Sequence, residues 1–175
     1  MPACRHLATL FALCALSAAT AWGHYLRPGS FVLTFKTQSY QGKFAPRHVL
    51  AVWLVDAKDR YVRDLAVYGE KCATRLSRWS KDSGKTKPDA VTGANLQVHE
   101  ELSVVWDGTD AKGKLLPDGE YRVRIEYTEA NQNGPVFQIP LQKGNETGTR
   151  KVRGNEFFTD VTVRRVGRHG DFGKK

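Results

Sequence analysis

Short runs of residues that alternate between apolar and polar side chains limit the folds open to this chain more than any other feature. The clearest run covers residues 121–127, where tyrosine, valine and isoleucine alternate with arginine and glutamate. Because successive side chains of a β-strand point to opposite faces of its sheet, this two-residue period predicts a half-buried strand. Further strands are predicted from similar or continuously apolar runs over residues 31–36, 49–55, 61–68, 102–106, 136–141 and 157–164.

Clusters of Gly, Pro, Asn and Asp separate these runs, as they separate the strands of antiparallel sandwiches. About seven short strands of this kind predict an all-β fold, an antiparallel immunoglobulin-like β-sandwich. The nearly continuous apolar run over 49–55 predicts a strand that is covered on both faces. One short helix is also predicted, because Cys72, Leu76 and Trp79 recur at helical spacing.

A tight hairpin is predicted at the Pro-Asp-Gly sequence of residues 117–119, because proline fixes one turn dihedral and glycine accepts a left-handed one. Asp107 and Asp110 are expected to form turns, since their spacing does not match a calcium-binding EF-hand loop. The stretch over 106–121 is similar to the turn of immunoglobulin-like modules in flagellar hook-capping proteins. This similarity supports the fold and implies no function.

The first 21 residues have the anatomy of a secretory signal peptide. Arg5 belongs to a positively charged start, an apolar stretch covers residues 7–19, and small residues lead up to Ala21. The cut is expected after Ala21 or, alternatively, after Gly23. Because the apolar stretch is too short to span a bilayer, the protein is predicted to be exported to the periplasm.

Export would leave one domain, predicted over residues 22–166, and a basic tail over 167–175 that is expected to be disordered. Cys72 is the one cysteine of this exported part, so no internal disulfide is expected. A buried side chain, an intermolecular bridge and a redox role are alternatives for Cys72.

The chain is basic, and removal of residues 1–21 takes away Arg5 and no acids, so that the net charge of +9 becomes +8. This charge favours acidic partners or peripheral contact with an anionic surface. Nucleic acid is not expected as a partner of an exported chain that carries no recognised binding motif. We also expect no enzymatic activity, because the sequence contains no Gly-x-Ser-x-Gly, His-Glu-x-x-His or glycine-rich phosphate motif.

The stretch from Asp89 to Asn95 has the sequence Asp-Ala-Val-Thr-Gly-Ala-Asn. It resembles the pattern Asp-x-x-Ser/Thr-Gly-Ala-Ser/Thr, at which periplasmic FMN transferases attach a flavin to the last hydroxyl through a phosphoester. Asp89, Thr92, Gly93 and Ala94 match this pattern. Asn95 occupies the acceptor position with a carboxamide, which is not a nucleophile of that kind. The resemblance implies a degenerate flavin-acceptor loop, so no cofactor is expected, and covalent FMN is the alternative.

Other landmarks accompany this motif, at residues 46–56, 62–65, 79, 106–108 and 117–121. In order and spacing they resemble a family of uncharacterised bacterial predicted periplasmic proteins, over about residues 30–165. Members of that family are linked with extracytosolic flavin systems. The resemblance implies a non-catalytic accessory or carrier-like module, with a PepSY-type membrane redox protein and an FMN transferase as expected partners.

Two alternatives to this function are open. The first is a structural or ligand-binding immunoglobulin-like envelope module with no redox role. The second is copper binding, because a cut after Gly23 would make His24 the amino terminus. The amine and imidazole of His24 would then share one copper ion with the imidazole of His48 or His99.

Overall fold

The computed structural model describes residues 26–84, 88 and 91–167, which fold into two four-stranded sheets packed face to face. In chain order the strands are β1 (Phe31–Thr37), β2 (Val49–Asp56), β3 (Tyr61–Tyr68), β4 (Glu101–Trp106), β5 (Gly119–Thr128), β6 (Val136–Lys143), β7 (Gly148–Lys151) and β8 (Phe158–Arg165). A 3₁₀-helix at Glu70–Arg75 and an α-helix, α1 (Ser77–Ser83), follow β3.

The strand order is β4-β1-β8-β7 in the first sheet and β3-β2-β5-β6 in the second, and all of these pairs are antiparallel. The predicted all-β sandwich is therefore confirmed. One of the eight strands, β7, was not predicted. Its four residues are all exposed, so they show no alternation of apolar and polar side chains.

The pairing of the strands resembles that of immunoglobulin-like sandwiches. In the second sheet β2 and β5 lie at the centre, as the C and F strands do, and β1 pairs with β4 as B pairs with E. The Tyr121 hydroxyl, near the start of β5, donates to the carbonyl of Pro117 at 2.9 Å. This bond from the F-like strand to the backbone upstream is the tyrosine corner of immunoglobulin-like sandwiches.

The main core lies between the sheets and follows the predicted alternation. In β1 the buried residues Phe31, Leu33 and Phe35 alternate with partly exposed ones. They pack in one cluster with apolar residues of the other sheet, including Leu54 and Ile125, which are fully buried. Burial of apolar side chains from both sheets is the dominant force that holds them together.

A second core explains why β2 is apolar on both faces, as its sequence predicted. Trp53 and Val55 face outward from the main core and pack with Leu76 and Trp79 of the helical segment. Glu126, on the same outer face of the sheet, accepts hydrogen bonds from the backbone N–H of Trp79 at 2.8 Å. The 3.6-residue spacing in this region therefore marked real helical structure, interrupted at Leu76 between the 3₁₀-helix and α1.

The connection from β4 to β5 differs from the predicted hairpin. Because β4 and β5 belong to different sheets, the turn at residues 117–119 ends a crossover rather than joining paired strands. The two aspartates form turns as predicted. One Asp107 carboxylate oxygen accepts from the backbone N–H of Thr109, and one Asp110 carboxylate oxygen accepts from the backbone N–H of Lys112.

The predicted signal segment (1–21) and nearly all of the predicted tail (167–175) lie outside the described residues. Within the described part of the chain, no helix has the length and apolar character needed to cross a membrane. Cys72 is a half-buried free thiol at the margin of the second core.

Candidate functional site

The segment of residues 91–99, called here the 91–99 segment, crosses one end of the sandwich before β4 begins. It is attached first to β3, the edge strand of the second sheet. The backbone N–H of Thr92 donates to the carbonyl of Val67 at 2.7 Å, and the Thr92 hydroxyl accepts from the Val67 N–H at 3.0 Å. Gly69 N–H also donates to the carbonyl of Gly93. Residues 92–93 thus continue the sheet as a short parallel addition to β3.

A second attachment lies three residues further on. Leu96 and His48 exchange two backbone hydrogen bonds of 3.0 Å each. Ala94 and Asn95, between the two attachments, are exposed to solvent. Val91 and Val98 flank them with exposed fractions of 51% and 52%. The segment therefore has an accessible centre with apolar side chains on either side, and a backbone that is held to the sheet.

The side chain of Asn95 lies against Gly69. A Cβ atom added at Gly69 would overlap the Asn95 carboxamide oxygen, so glycine at position 69 leaves the space for the side chain of residue 95. Gly69 also has a φ of 84°, a conformation that favours glycine. The backbone carbonyl of Asn95 accepts a hydrogen bond from the Gln97 side chain at 2.9 Å.

The structure places four of the predicted motif residues, Thr92, Gly93, Ala94 and Asn95, on this segment, and Asp89 lies outside the described residues. These residues do not fit covalent FMN. The one described hydroxyl of the motif, on Thr92, is held against β3, and the acceptor position carries a carboxamide.

Where the segment ends, its last residue His99 joins a second histidine and a glutamate in a largely buried group, the histidine cluster (His48, His99 and Glu129). The two imidazole rings stack with centroids 4.1 Å apart and an interplanar angle of 5°. His99 Nε2 lies 2.7 Å from Glu129 Oε1, and His99 Nδ1 lies 2.8 Å from the Thr37 hydroxyl. The Tyr127 ring is steeply inclined to both imidazoles, with interplanar angles of 70° and 72°.

Glu129 ties this cluster to the loop that follows β1. Its second carboxylate oxygen, Oε2, accepts hydrogen bonds of 3.0–3.1 Å from the Ser39 hydroxyl and from the backbone N–H groups of Tyr40 and Gly42. Burial alone would raise the pKa of Glu129, but the hydrogen bonds from Gly42, His99 and Ser39 outweigh burial and lower it. Glu129 is therefore an ionised carboxylate at neutral pH.

His48 is in the opposite state, because burial lowers its pKa from 6.5 to about 4. The ring is neutral at pH 7, and its Nδ1 carries the proton, since Nδ1 lies 3.0 Å from the carbonyl of Pro46. Its Nε2 is buried without a hydrogen-bond partner. Burial also raises the pKa of the Tyr127 hydroxyl, which donates to the carbonyl of Gln38.

The described structure brings together His48 and His99, the two alternative partners of the predicted copper ligand His24, whose rings stack. His24 lies outside the described residues, and both ring nitrogens of His99 already have partners. Among the residues that the structure describes, no group of three or more His, Cys, Asp or Glu side chains is arranged to hold a metal ion. Copper binding stays a prediction.

Basic and aromatic side chains surround this end of the sandwich. Phe44 is half-buried, with Lys43 Nζ at 5.8 Å and the Arg75 guanidinium at 5.9 Å from its ring centroid. Arg47 is exposed beside His48. The described residues 70–84 carry four Lys or Arg against two acids, so positive side chains outnumber negative ones in this segment.

Sequence reasoning identified the motif at residues 89–95, which overlaps the 91–99 segment, but not the histidine cluster. Its three residues come from three separate parts of the chain, before β2, before β4 and after β5. No local spacing connects them, and only the pairing of β2 with β5 and of residue 48 with residue 96 brings them together.

Residues 31–160 match a family model described as "Predicted periplasmic protein (DUF2271)". The matched region includes the 91–99 segment and the whole histidine cluster. No curated protein and no solved structure matches the chain.

Proposed function

Because the chain belongs to the family of predicted periplasmic proteins (DUF2271), we propose that it is a non-catalytic accessory module of an extracytosolic flavin-linked redox system. The family description places it in the periplasm, as the sequence predicted. Periplasmic flavin transfer and membrane electron transfer both require exposed surfaces on the proteins that take part. The expected partners are an FMN transferase and a PepSY-type membrane redox protein.

The observation that carries this proposal is the exposed centre of the 91–99 segment. Another protein's active site can reach a short exposed strand more easily than a buried loop. Ala94 and Asn95 are exposed, while Thr92 and Leu96 are fixed to the sheet on either side. Such a segment presents its centre without the entropy cost of ordering a free loop.

The apolar side chains beside that centre support a protein partner. Val91 and Val98 are each about half exposed, and soluble proteins use exposed apolar side chains at the centres of their interfaces. The nearby Lys43, Arg47 and Arg75 favour a partner with acidic groups around such a contact.

An accessory role fits the chain better than a carrier role. FMN transfer from FAD joins the FMN phosphate to a protein hydroxyl and releases AMP, and the proton of that hydroxyl is lost. Asn95 has no hydroxyl to form this phosphoester. We expect the wild-type protein to be free of covalent FMN.

Restoring the acceptor tests the proposal. We expect Asn95→Thr, co-expressed in the periplasm with an FMN transferase, to gain the mass of one FMN and visible flavin absorbance. Asn95→Val has nearly the same shape without a hydroxyl and should stay unmodified, as should the wild type. Both variants should retain the far-ultraviolet circular dichroism of the wild type.

The competing function is a structural or ligand-binding envelope module with no redox role. The pairing of residues 92–93 with β3 favours it, because that pairing would be enough to explain the segment as a link between strands. If the folded Asn95→Thr variant never acquires FMN, the segment does not dock to a transferase. That result would favour the structural or ligand-binding envelope module.

A further inference from the structure

Three cationic side chains are buried among the described residues: Arg124, Lys143 and Arg165. Two of them have carboxylate partners. Arg124 forms ion pairs with Asp59 and Asp82, and Lys143 Nζ lies 2.8 Å from an Asp118 carboxylate oxygen. Arg165 has an exposed fraction of 9% and no carboxylate partner among the residues that the structure describes.

The contacts of Arg165 leave part of its guanidinium unused. One amino group donates to the backbone carbonyl of Glu146 at 2.8 Å, and the guanidinium lies over the Phe31 ring, 5.3 Å from its centroid. Its Nε is buried without a hydrogen-bond partner. Buried charges in proteins are normally paired, and an unsatisfied buried donor is costly. This guanidinium therefore lacks an anion.

A cavity of about 220 Å³ lies beside Arg165, between the edge strands β6 and β7 on the open side of the sandwich. Gln142, Glu146, Thr149 and Arg150 also line it. Arg150 is exposed, donates to the carbonyl of Pro140, and has no ion pair within the described part of the chain. Two guanidinium groups that have no ion pair with a described residue thus line one cavity, against one acidic residue, Glu146.

A neighbouring cavity of about 430 Å³ continues along β6 and shares Leu141, Gln142 and Arg150 with the first. It adds a third arginine, Arg122, which has an ion pair with Asp59. The opening beside Arg150 therefore leads into an extended groove. A ligand bound at Arg165 could be larger than the first cavity alone.

We propose that this cavity binds a small oxyanion, a phosphate or carboxylate group held by Arg165 and Arg150. The guanidinium fork donates two parallel hydrogen bonds to either group, and such charge-assisted pairs are strong where water is partly excluded. The volume equals roughly seven water molecules at their share of liquid volume, which accommodates inorganic phosphate or a short dicarboxylate.

This site is independent of the 91–99 segment. Arg165 pairs with Phe31 at the start of β1, whereas the histidine cluster contacts Thr37 at its end. Six residue steps along a strand separate the two positions by roughly 20 Å. Failure of one proposal would leave the other intact.

Titration calorimetry tests the site on the full exported chain, with inorganic phosphate and with succinate as probes at constant ionic strength. We expect saturable binding of at least one probe with one site per chain. Arg150→Gln should weaken that binding roughly tenfold, and Arg165→Gln should weaken it at least as much, because each removes a charge-assisted bond. Arg165→Lys keeps the charge but loses the fork and should also weaken binding.

Arg164 provides a matched control, because it precedes Arg165 on β8 and is exposed on the opposite face. Arg164→Gln should bind the probes as the wild type does. Equal weakening by Arg164→Gln and Arg150→Gln would show diffuse surface charge and overturn the proposal, as would the absence of saturable binding. If Arg165→Gln does not fold, the binding measured for Arg150→Gln tests the proposal by itself.

Discussion

Replacing His48 with phenylalanine should remove part of the protein's sensitivity to acid. Burial lowers the pKa of this imidazole to about 4 in the folded protein, against 6.5 for an unperturbed histidine. Between these two values the unfolded chain binds a proton that the folded protein does not. Stability is therefore complete above pH 6.5 and falls as the pH falls through 6.5 towards 4.

The size of the effect follows from the two pKa values. The full difference of 2.5 between 6.5 and about 4 corresponds to about 3.4 kcal/mol, reached only below pH 4. At pH 5 the same linkage removes about 2 kcal/mol relative to pH 8. Comparison at pH 5 is preferable, because most carboxylates of the unfolded chain are still ionised there.

The measurement is urea unfolding at pH 5 and pH 8, followed by tryptophan fluorescence, for the wild type, His48→Phe and His48→Gln. The free energy of unfolding of the wild type should fall by about 2 kcal/mol more than that of either variant, since neither replacement titrates in this range. His48→Phe also removes the unpartnered Nε2, so it should not be strongly destabilised at pH 8.

The acid effect has a local consequence for the candidate site. His48 pairs with Leu96 through its backbone, so a charged imidazole should loosen the second attachment of the 91–99 segment. Amide exchange at Leu96 should become faster at pH 5 than the change in intrinsic exchange explains. Equal losses of stability in all three proteins would refute the account, because they would show that the imidazole of His48 accepts its proton freely in the folded state.

Two other substitutions, each with a control variant, test the packing. Trp79→Ala should destabilise the protein by about 3–5 kcal/mol in urea unfolding, because Trp79 is fully buried in the second core, and Trp79→Phe should cost less. Gly134→Ala should be strongly destabilising, since a Cβ there would overlap the carbonyl oxygen of Tyr127, whereas Gly144→Ala meets no atom and should change stability by less than about 0.5 kcal/mol. Similar unfolding midpoints for the two alanine variants would contradict the placement of residue 134.

The sequence predicts the strands well because burial on one face leaves a two-residue period, as in residues 31–37 and 121–127. The same period misleads in one respect. The charged residues Arg124 and Glu126 alternate as solvent-facing residues do, yet both are buried where α1 covers the sheet. Glu126 is bonded by the backbone of α1, and Arg124 pairs with Asp82 of α1 and with Asp59. All of these partners are distant in sequence, so the alternation alone cannot show that the two residues are covered.

The candidate site was predictable only in part. The motif at residues 89–95 is a local pattern and can be found in the sequence. Its attachment to β3 uses backbone groups of Val67 and Gly69, which leave no side-chain signal. The histidine cluster depends on contacts between distant residues, such as that of His99 with Glu129, and only the fold reveals it.

Site-specific photo-crosslinking in the native periplasm tests the proposed role most directly. A photoreactive residue at Val98 lies beside the exposed centre of the 91–99 segment. One at Leu115, which is 67% exposed near the opposite end of the sandwich, serves as the control. We predict that position 98, and not position 115, crosslinks to a membrane protein that carries a redox cofactor. Identical products from both positions, or products from position 98 without any redox protein, would contradict the account.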